Sequence, residues 1–180
     1  MIMNWKEFFK HSLILFGITI LSGLIYFVLT KIVRQLEYVT YLWIPAIIVI
    51  ILIPLIYSFL SKKSIKELAI ITLMFILISS IVSIPIMGIM KNSIRESKGN
   101  APIAILTLTI FSMNPITSID SLICAPYSAK AINVGSNDQV KVCPLQKFGF
   151  FIELIIVGIM AFIIIFPSMI IGNYLSKVRK

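Results

Sequence analysis

Four long apolar runs constrain the fold of this chain more than any other feature of its sequence. They cover residues 12–30, 41–60, 68–90 and 148–172. A helix needs about 20 residues to cross ~30 Å of hydrocarbon, and a lone strand in lipid would leave its backbone groups unpaired. The sequence therefore predicts an all-α integral membrane protein with four transmembrane helices.

The composition agrees with a membrane protein whose main partner is the lipid bilayer. The 180 residues are 59% hydrophobic and 13% charged, whereas soluble domains are about 45–50% apolar and about 25% charged. The net charge is +9, but the basic residues lie between the apolar runs. This placement favours contact with lipid headgroups and argues against nucleic acid as a partner.

A fifth apolar run, 101–113, is too short to cross a membrane alone. It is interpreted as a re-entrant piece, an interfacial piece, or a strand, since ILTLTI alternates with a period of two.

The distribution of basic residues predicts the orientation. With four spans, eight of the 16 basic residues lie in the two tails and the loop 61–67, and two, Lys31 and Arg34, lie in the loop 31–40. The other six lie in the long loop 91–147, which carries little weight because long loops cross largely regardless of charge. We therefore expect a multi-pass protein of the cell membrane with both termini cytoplasmic. Residues 1–180 form a single membrane domain, and 91–147 form an extracytoplasmic cap.

Cys124 and Cys143 are the two cysteines of the chain, and both lie in this cap. Disulfides persist outside the cytoplasm, so the sequence predicts a structural disulfide between them. Closing a loop of about 19 residues is worth roughly 3 kcal/mol in the chain-entropy account. The alternative is redox chemistry, because the architecture resembles that of four-helix thiol oxidases that reduce quinone. Those families use a C-x-x-C pair, which this chain lacks.

Glu153 is a candidate intramembrane functional carboxylate, because ionisable groups inside a span are costly. The alternative is a structural ion pair with Arg34, Lys91 or Arg95, or an acid that reaches the interface. His11 is the one histidine, so we expect no metal site and interpret it as an interfacial side chain.

Small residues predict where the helices touch each other. The second run has few of them and is expected to face lipid or a partner. Ser79, Ser80 and Ser83 also allow one narrow polar seam on the third helix. The predicted helix-packing positions are Gly17, Gly23, Ser79, Ser83, Gly88 and Gly158.

The leading functional hypothesis is a non-catalytic accessory or structural subunit of a larger membrane complex, contacting other membrane subunits or itself. Few polar residues lie in the spans, and no motif for nucleotide, zinc or serine-hydrolase chemistry is present, so no cofactor and no enzymatic activity are expected. The alternatives are a small transporter or channel acting as an oligomer, and a quinone-linked thiol–disulfide oxidoreductase. The loop layout resembles that of tetraspanins, without their C-C-G motif.

Overall fold

The computed structural model describes residues 5–32, 47–96, 114–120, 123 and 149–178. The backbone of these segments is helical apart from short connections, and no strand occurs in them. Cys124, Cys143, the run 101–113 and most of the predicted cap 91–147 lie outside the described residues. The disulfide, the form of the fifth run and the extent of the cap therefore stay predictions.

Three long helices form the frame of the protein. Helix α1 covers Trp5–Ile32, α3 covers Ile65–Glu96 and α5 covers Phe150–Val178. Each contains a stretch that is long and apolar enough to cross a membrane: Trp5–Ile25, Ile65–Ile84 and Phe151–Val178. These stretches fall on the first, third and fourth predicted runs.

The second predicted run, 41–60, is described only from residue 47 onward. A turn of π-helix, Ile48–Leu52, leads into helix α2, Ile53–Ser61. In the wider turn the Ile53 N–H donates to the Ile48 carbonyl, five residues back. Pro54 follows Ile53 and has no N–H to donate to the carbonyl four residues back. The change to five-residue hydrogen-bond spacing therefore fits this position. Together Ile48–Ser61 is an apolar helix shorter than the three candidate spans.

A tight turn joins α2 to α3. Lys62 adopts a left-handed conformation with φ of 51° and ends α2. Ser64 and Glu67 then form a reciprocal cap: the Ser64 N–H donates to Glu67 Oε2 at 2.8 Å, and the Glu67 N–H donates to Ser64 Oγ at 3.4 Å. This pairing satisfies amide groups that the first turn of a helix leaves open.

Helix α3 packs against both α1 and α5, and α2 packs most closely against α5. The core lies where these helices meet. Its fully buried members are Leu15, Val49, Leu68, Phe75, Ile116, Val157, Ala161, Ile165 and Met169.

Helix α2 has two different faces. Ile53, Pro54 and Ser58 are buried against the bundle, whereas Ile56 and Leu60 remain exposed, so contact of this outer face with lipid or a partner stays a prediction. The small residue at this contact comes from the other helix: a Cβ on Gly172 of α5 would overlap the Leu55 carbonyl and the Ser58 hydroxyl. A close contact between two helices therefore requires a small residue on only one of them.

Candidate functional site

Two serines of α3 begin a buried polar cluster inside the bundle. Ser79 and Ser83 are four residues apart, on one face of the helix, and both are fully buried. The Ser83 hydroxyl donates to the Ser79 carbonyl at 2.7 Å. The Ser79 hydroxyl has no hydrogen-bond partner within the described part of the protein.

Asn114 joins this pair from a distant part of the chain. Its Nδ2 donates to the Ser79 carbonyl at 2.8 Å and to the Ser83 hydroxyl at 2.9 Å. Its Oδ1 accepts the Ile116 N–H at 3.0 Å. The two Nδ2 hydrogen bonds tie the start of a short segment to the middle of α3, and the Oδ1 bond lies within that segment.

That segment is the short helix α4, residues 115–120. Asn114 is its N-cap and Pro115 its first residue, which suits a position where an amide would lack a partner. The Asn114 carbonyl accepts the Ser118 N–H at 2.8 Å and the Thr117 hydroxyl at 2.9 Å. Residues 114–119 are all buried, although three of the six are polar.

Asp120 and Glu153 bring two carboxyl groups together where α4 meets the start of α5. The side chains share a hydrogen bond. Burial, together with the charge and the hydrogen bond of Glu153, raises the pKa of Asp120 to about 7. A hydrogen bond between two carboxyl groups requires a proton on one of them.

We call Ser79, Ser83, Asn114, Thr117, Ser118, Asp120 and Glu153 the polar seam. It joins three helices, α3, α4 and α5. Its serines on α3 and the carboxylate Glu153 are predicted from the sequence. Asn114 and Asp120 are not, although the Asn-Pro pair is a recognisable helix start.

The other hydroxyl groups of the bundle bond mostly to nearby backbone. Thr19 donates to the Phe16 carbonyl at 2.7 Å, and Ser168 donates to the Ile164 carbonyl at 2.9 Å. Thr72 donates to the Leu68 carbonyl at 2.7 Å and lies 3.1 Å from Met169 Sδ. These groups need no ligand to satisfy them.

A second polar cluster lies where α1 meets the α2–α3 turn. The Tyr57 hydroxyl is 2.7 Å from His11 Nδ1. Lys63 Nζ donates to Glu7 Oε1 at 2.7 Å, and His11 Nε2 lies 3.8 Å from the same oxygen. Lys63 Nζ also lies 4.0 Å from Glu67 Oε1. We call His11, Tyr57, Glu7, Lys63 and Glu67 the turn cluster.

The predicted packing positions have different surroundings. Ser79, Ser83 and Gly23 are buried, and a Cβ on Gly158 would lie 3.7 Å from Ile76 Cγ2. Gly17 is exposed, and a Cβ there would have no atom within 4 Å, because it lies on the outer side of α1. The surroundings of Gly88 lie outside the described side chains.

Among the described residues, no group of three or more His, Cys, Asp or Glu side chains could hold a metal ion. A comparison with protein families, curated proteins and solved structures finds no match to this chain.

Proposed function

We propose that the protein is a small membrane transporter whose path for an ion or solute follows the polar seam. The observation that carries this proposal is the buried position of α4, a short helix with polar side chains, between two candidate spans. Non-helical or interrupted backbone is tolerated at membrane depth only where protein buries it or where it lines a cavity. Many transporters build their binding sites from discontinuous helices near the middle of the membrane.

The carboxyl pair of Asp120 and Glu153 gives the proposed path a net charge that depends on how many protons the pair holds. When the Asp120–Glu153 pair holds one proton, releasing that proton leaves two negative charges side by side. A cation arriving from the solution would neutralise them, as would a returning proton. We therefore propose exchange of a proton for a cation, or uptake of a solute together with a proton, as the class of transport.

Flux measurements in proteoliposomes test this proposal. The protein would be reconstituted with a pH-sensitive dye inside, and proton movement followed after adding sodium or potassium salts or a panel of small solutes. We expect flux in the wild type and at least a tenfold loss in Glu153→Gln and Asp120→Asn. Lys66→Gln is the control, since Lys66 is exposed and belongs neither to the polar seam nor to the turn cluster. Absence of flux in the wild type with every ion and solute would contradict the proposal.

An accessory subunit of a larger membrane complex is the second candidate. Two observations support this candidate. Hydroxyl groups of α1 and α5 form hydrogen bonds with nearby backbone carbonyls and so need no ligand. Large apolar side chains also remain exposed along the long helices, among them Leu21, Ile25, Leu77, Ile81, Ile155 and Ile163. Lipid or another subunit can cover such surfaces. Copurification of defined partners in a mild detergent, with no flux by the isolated protein, would favour this candidate. The thiol–quinone alternative depends on Cys124 and Cys143 and stays a prediction.

A further inference from the structure

The turn cluster holds the single histidine of the chain between two different partners. Its Nδ1 is 2.7 Å from the Tyr57 hydroxyl of α2, and its Nε2 is 3.8 Å from Glu7 Oε1 of α1. The imidazole is only partly exposed, at 23%. Both ring nitrogens thus face polar groups of neighbouring residues, Tyr57 and Glu7.

The charged groups around His11 would electrostatically stabilise one more cation. Two carboxylates, Glu7 and Glu67, surround one ammonium group, Lys63, at 2.7 and 4.0 Å. With a neutral imidazole the cluster carries one net negative charge, and with an imidazolium it carries none. The exposed lysines at this end of the bundle are Lys6, Lys10, Lys62 and Lys66, and none of these four forms a hydrogen bond with His11.

We infer that His11 is a proton-binding site that controls how tightly α1 is held against the α2–α3 turn. When the imidazole is neutral, the Tyr57 hydroxyl donates to Nδ1, and Nε2–H faces Glu7 beyond hydrogen-bond distance. When a proton binds, Nδ1–H donates to the Tyr57 oxygen instead, and the imidazolium attracts the Glu7 carboxylate. Binding or loss of this proton therefore changes the contact between α1 and the turn.

Glu7 is the group through which the proton acts. It lies four residues before His11 on the same face of α1, where side chains of a helix meet. Glu7 Oε1 already accepts a hydrogen bond from Lys63 in the turn. The His11 imidazolium adds a second cation beside the same carboxylate. The Glu7 carboxylate then links α1 to the turn and, through Lys63, to the start of α3. Proton binding therefore tightens the cluster. This inference concerns the opposite part of the bundle from the carboxyl pair and does not depend on transport.

The single histidine allows a direct test with the full chain in detergent or nanodiscs. Protein labelled with ¹⁵N only in histidine gives one imidazole signal pair, whose shifts report the tautomer and the bound proton. We expect the neutral form to carry its proton on Nε2, with conversion to imidazolium between pH 8 and 5. A neutral form protonated on Nδ1, or no conversion in this range, would overturn the inference.

A double-mutant cycle tests the coupling to Glu7. His11→Asn keeps a side-chain acceptor for Tyr57 but cannot bind a proton, and Glu7→Gln keeps the size of Glu7 without its charge. On going from pH 8 to 5.5 we expect the melting temperature of the wild type to rise by about 1–4 °C relative to His11→Asn. In the Glu7→Gln background this gain should vanish. A gain that persists there would show that His11 acts through another group and would refute the proposed coupling.

Discussion

The backbone of Gly172 in α5 lies directly against the carbonyl of Leu55 in α2. A Cβ at this position would overlap that carbonyl oxygen and the Ser58 hydroxyl. The Ser58 hydroxyl itself donates to the Leu55 carbonyl at 3.0 Å. This contact holds α2 close to α5, and among Gly17, Gly149, Gly158 and Gly172 it leaves Gly172 the least room for a methyl group.

We therefore expect Gly172→Ala to reduce the free energy of unfolding by at least about 2 kcal/mol, because a backbone carbonyl cannot move aside as a side chain can. Adding Ser58→Ala should not restore the stability, since the Leu55 carbonyl remains. Gly158→Ala and Gly17→Ala are the controls, with an ordinary contact at 3.7 Å and open space respectively. They should be neutral or up to ~1 kcal/mol more stable. Unfolding in detergent measures all four variants.

Ser79 and Ser83 should respond differently to the same substitution. Ser83→Ala removes an acceptor of the Asn114 amide, and membrane hydrogen bonds of this kind are worth about 0.6–1.7 kcal/mol. Ser79→Ala removes a buried hydroxyl that lacks a partner among the described residues, so its effect should be neutral or stabilising by ~1 kcal/mol. The change in helix propensity is the same for both and cancels in the comparison. Equal losses for the two variants would mean that the Ser79 hydroxyl binds a group such as an ordered water.

Asp120 should make the stability of the protein depend on pH. Its pKa in the folded state is raised from the ordinary 3.8 to about 7, so the folded protein holds this proton more tightly than the unfolded chain does. The resulting stability is fully present below pH 3.8 and is lost as the pH rises through 7. Asp120→Asn should remove this part of the pH dependence and melt at a higher temperature than the wild type at pH 8. Parallel melting curves of the two proteins from pH 4 to 8 would contradict the shared proton.

The sequence was sufficient to predict the long helices, because the length of an apolar run is a direct measure of membrane-spanning capacity. It also predicted the α3 side of the polar seam, since two serines four residues apart must share a face of a helix. Both inferences need only local periodicity, and neither depends on knowing which helices meet.

The buried helix α4 was missed for a physical reason. Hydropathy identifies long apolar segments, whereas α4 is a short segment whose polar groups are satisfied by Ser79, Ser83 and Glu153, far away in the chain. Asn114 and Pro115 lie directly after the apolar run 101–113, beyond the residues that hydropathy selects. Gly172 was missed because it lies at the end of the fourth run, where the sequence does not show which helix approaches it.

The predicted disulfide between Cys124 and Cys143 can be tested with a thiol reagent that does not cross membranes. Intact cells should show no labelling of the wild-type protein before reduction and labelling of both cysteines after treatment with an impermeant reductant. A non-reducing peptide map should recover the two cysteine peptides joined. Two free thiols in protein from the native host would exclude the bond and remove one support for an extracytoplasmic cap.

The same reagent tests the predicted orientation. Lys66 is exposed at the start of α3 and lies in the loop predicted to be cytoplasmic, and replacing it leaves the reciprocal cap of Ser64 and Glu67 intact. Ser136 lies in the predicted extracytoplasmic cap. If basic residues retain the short loops on the cytoplasmic side, Lys66→Cys should react only after the membrane is permeabilised, and Ser136→Cys should react in intact cells. The reverse pattern would place the turn cluster, and with it the proton-binding histidine, on the outer side of the membrane.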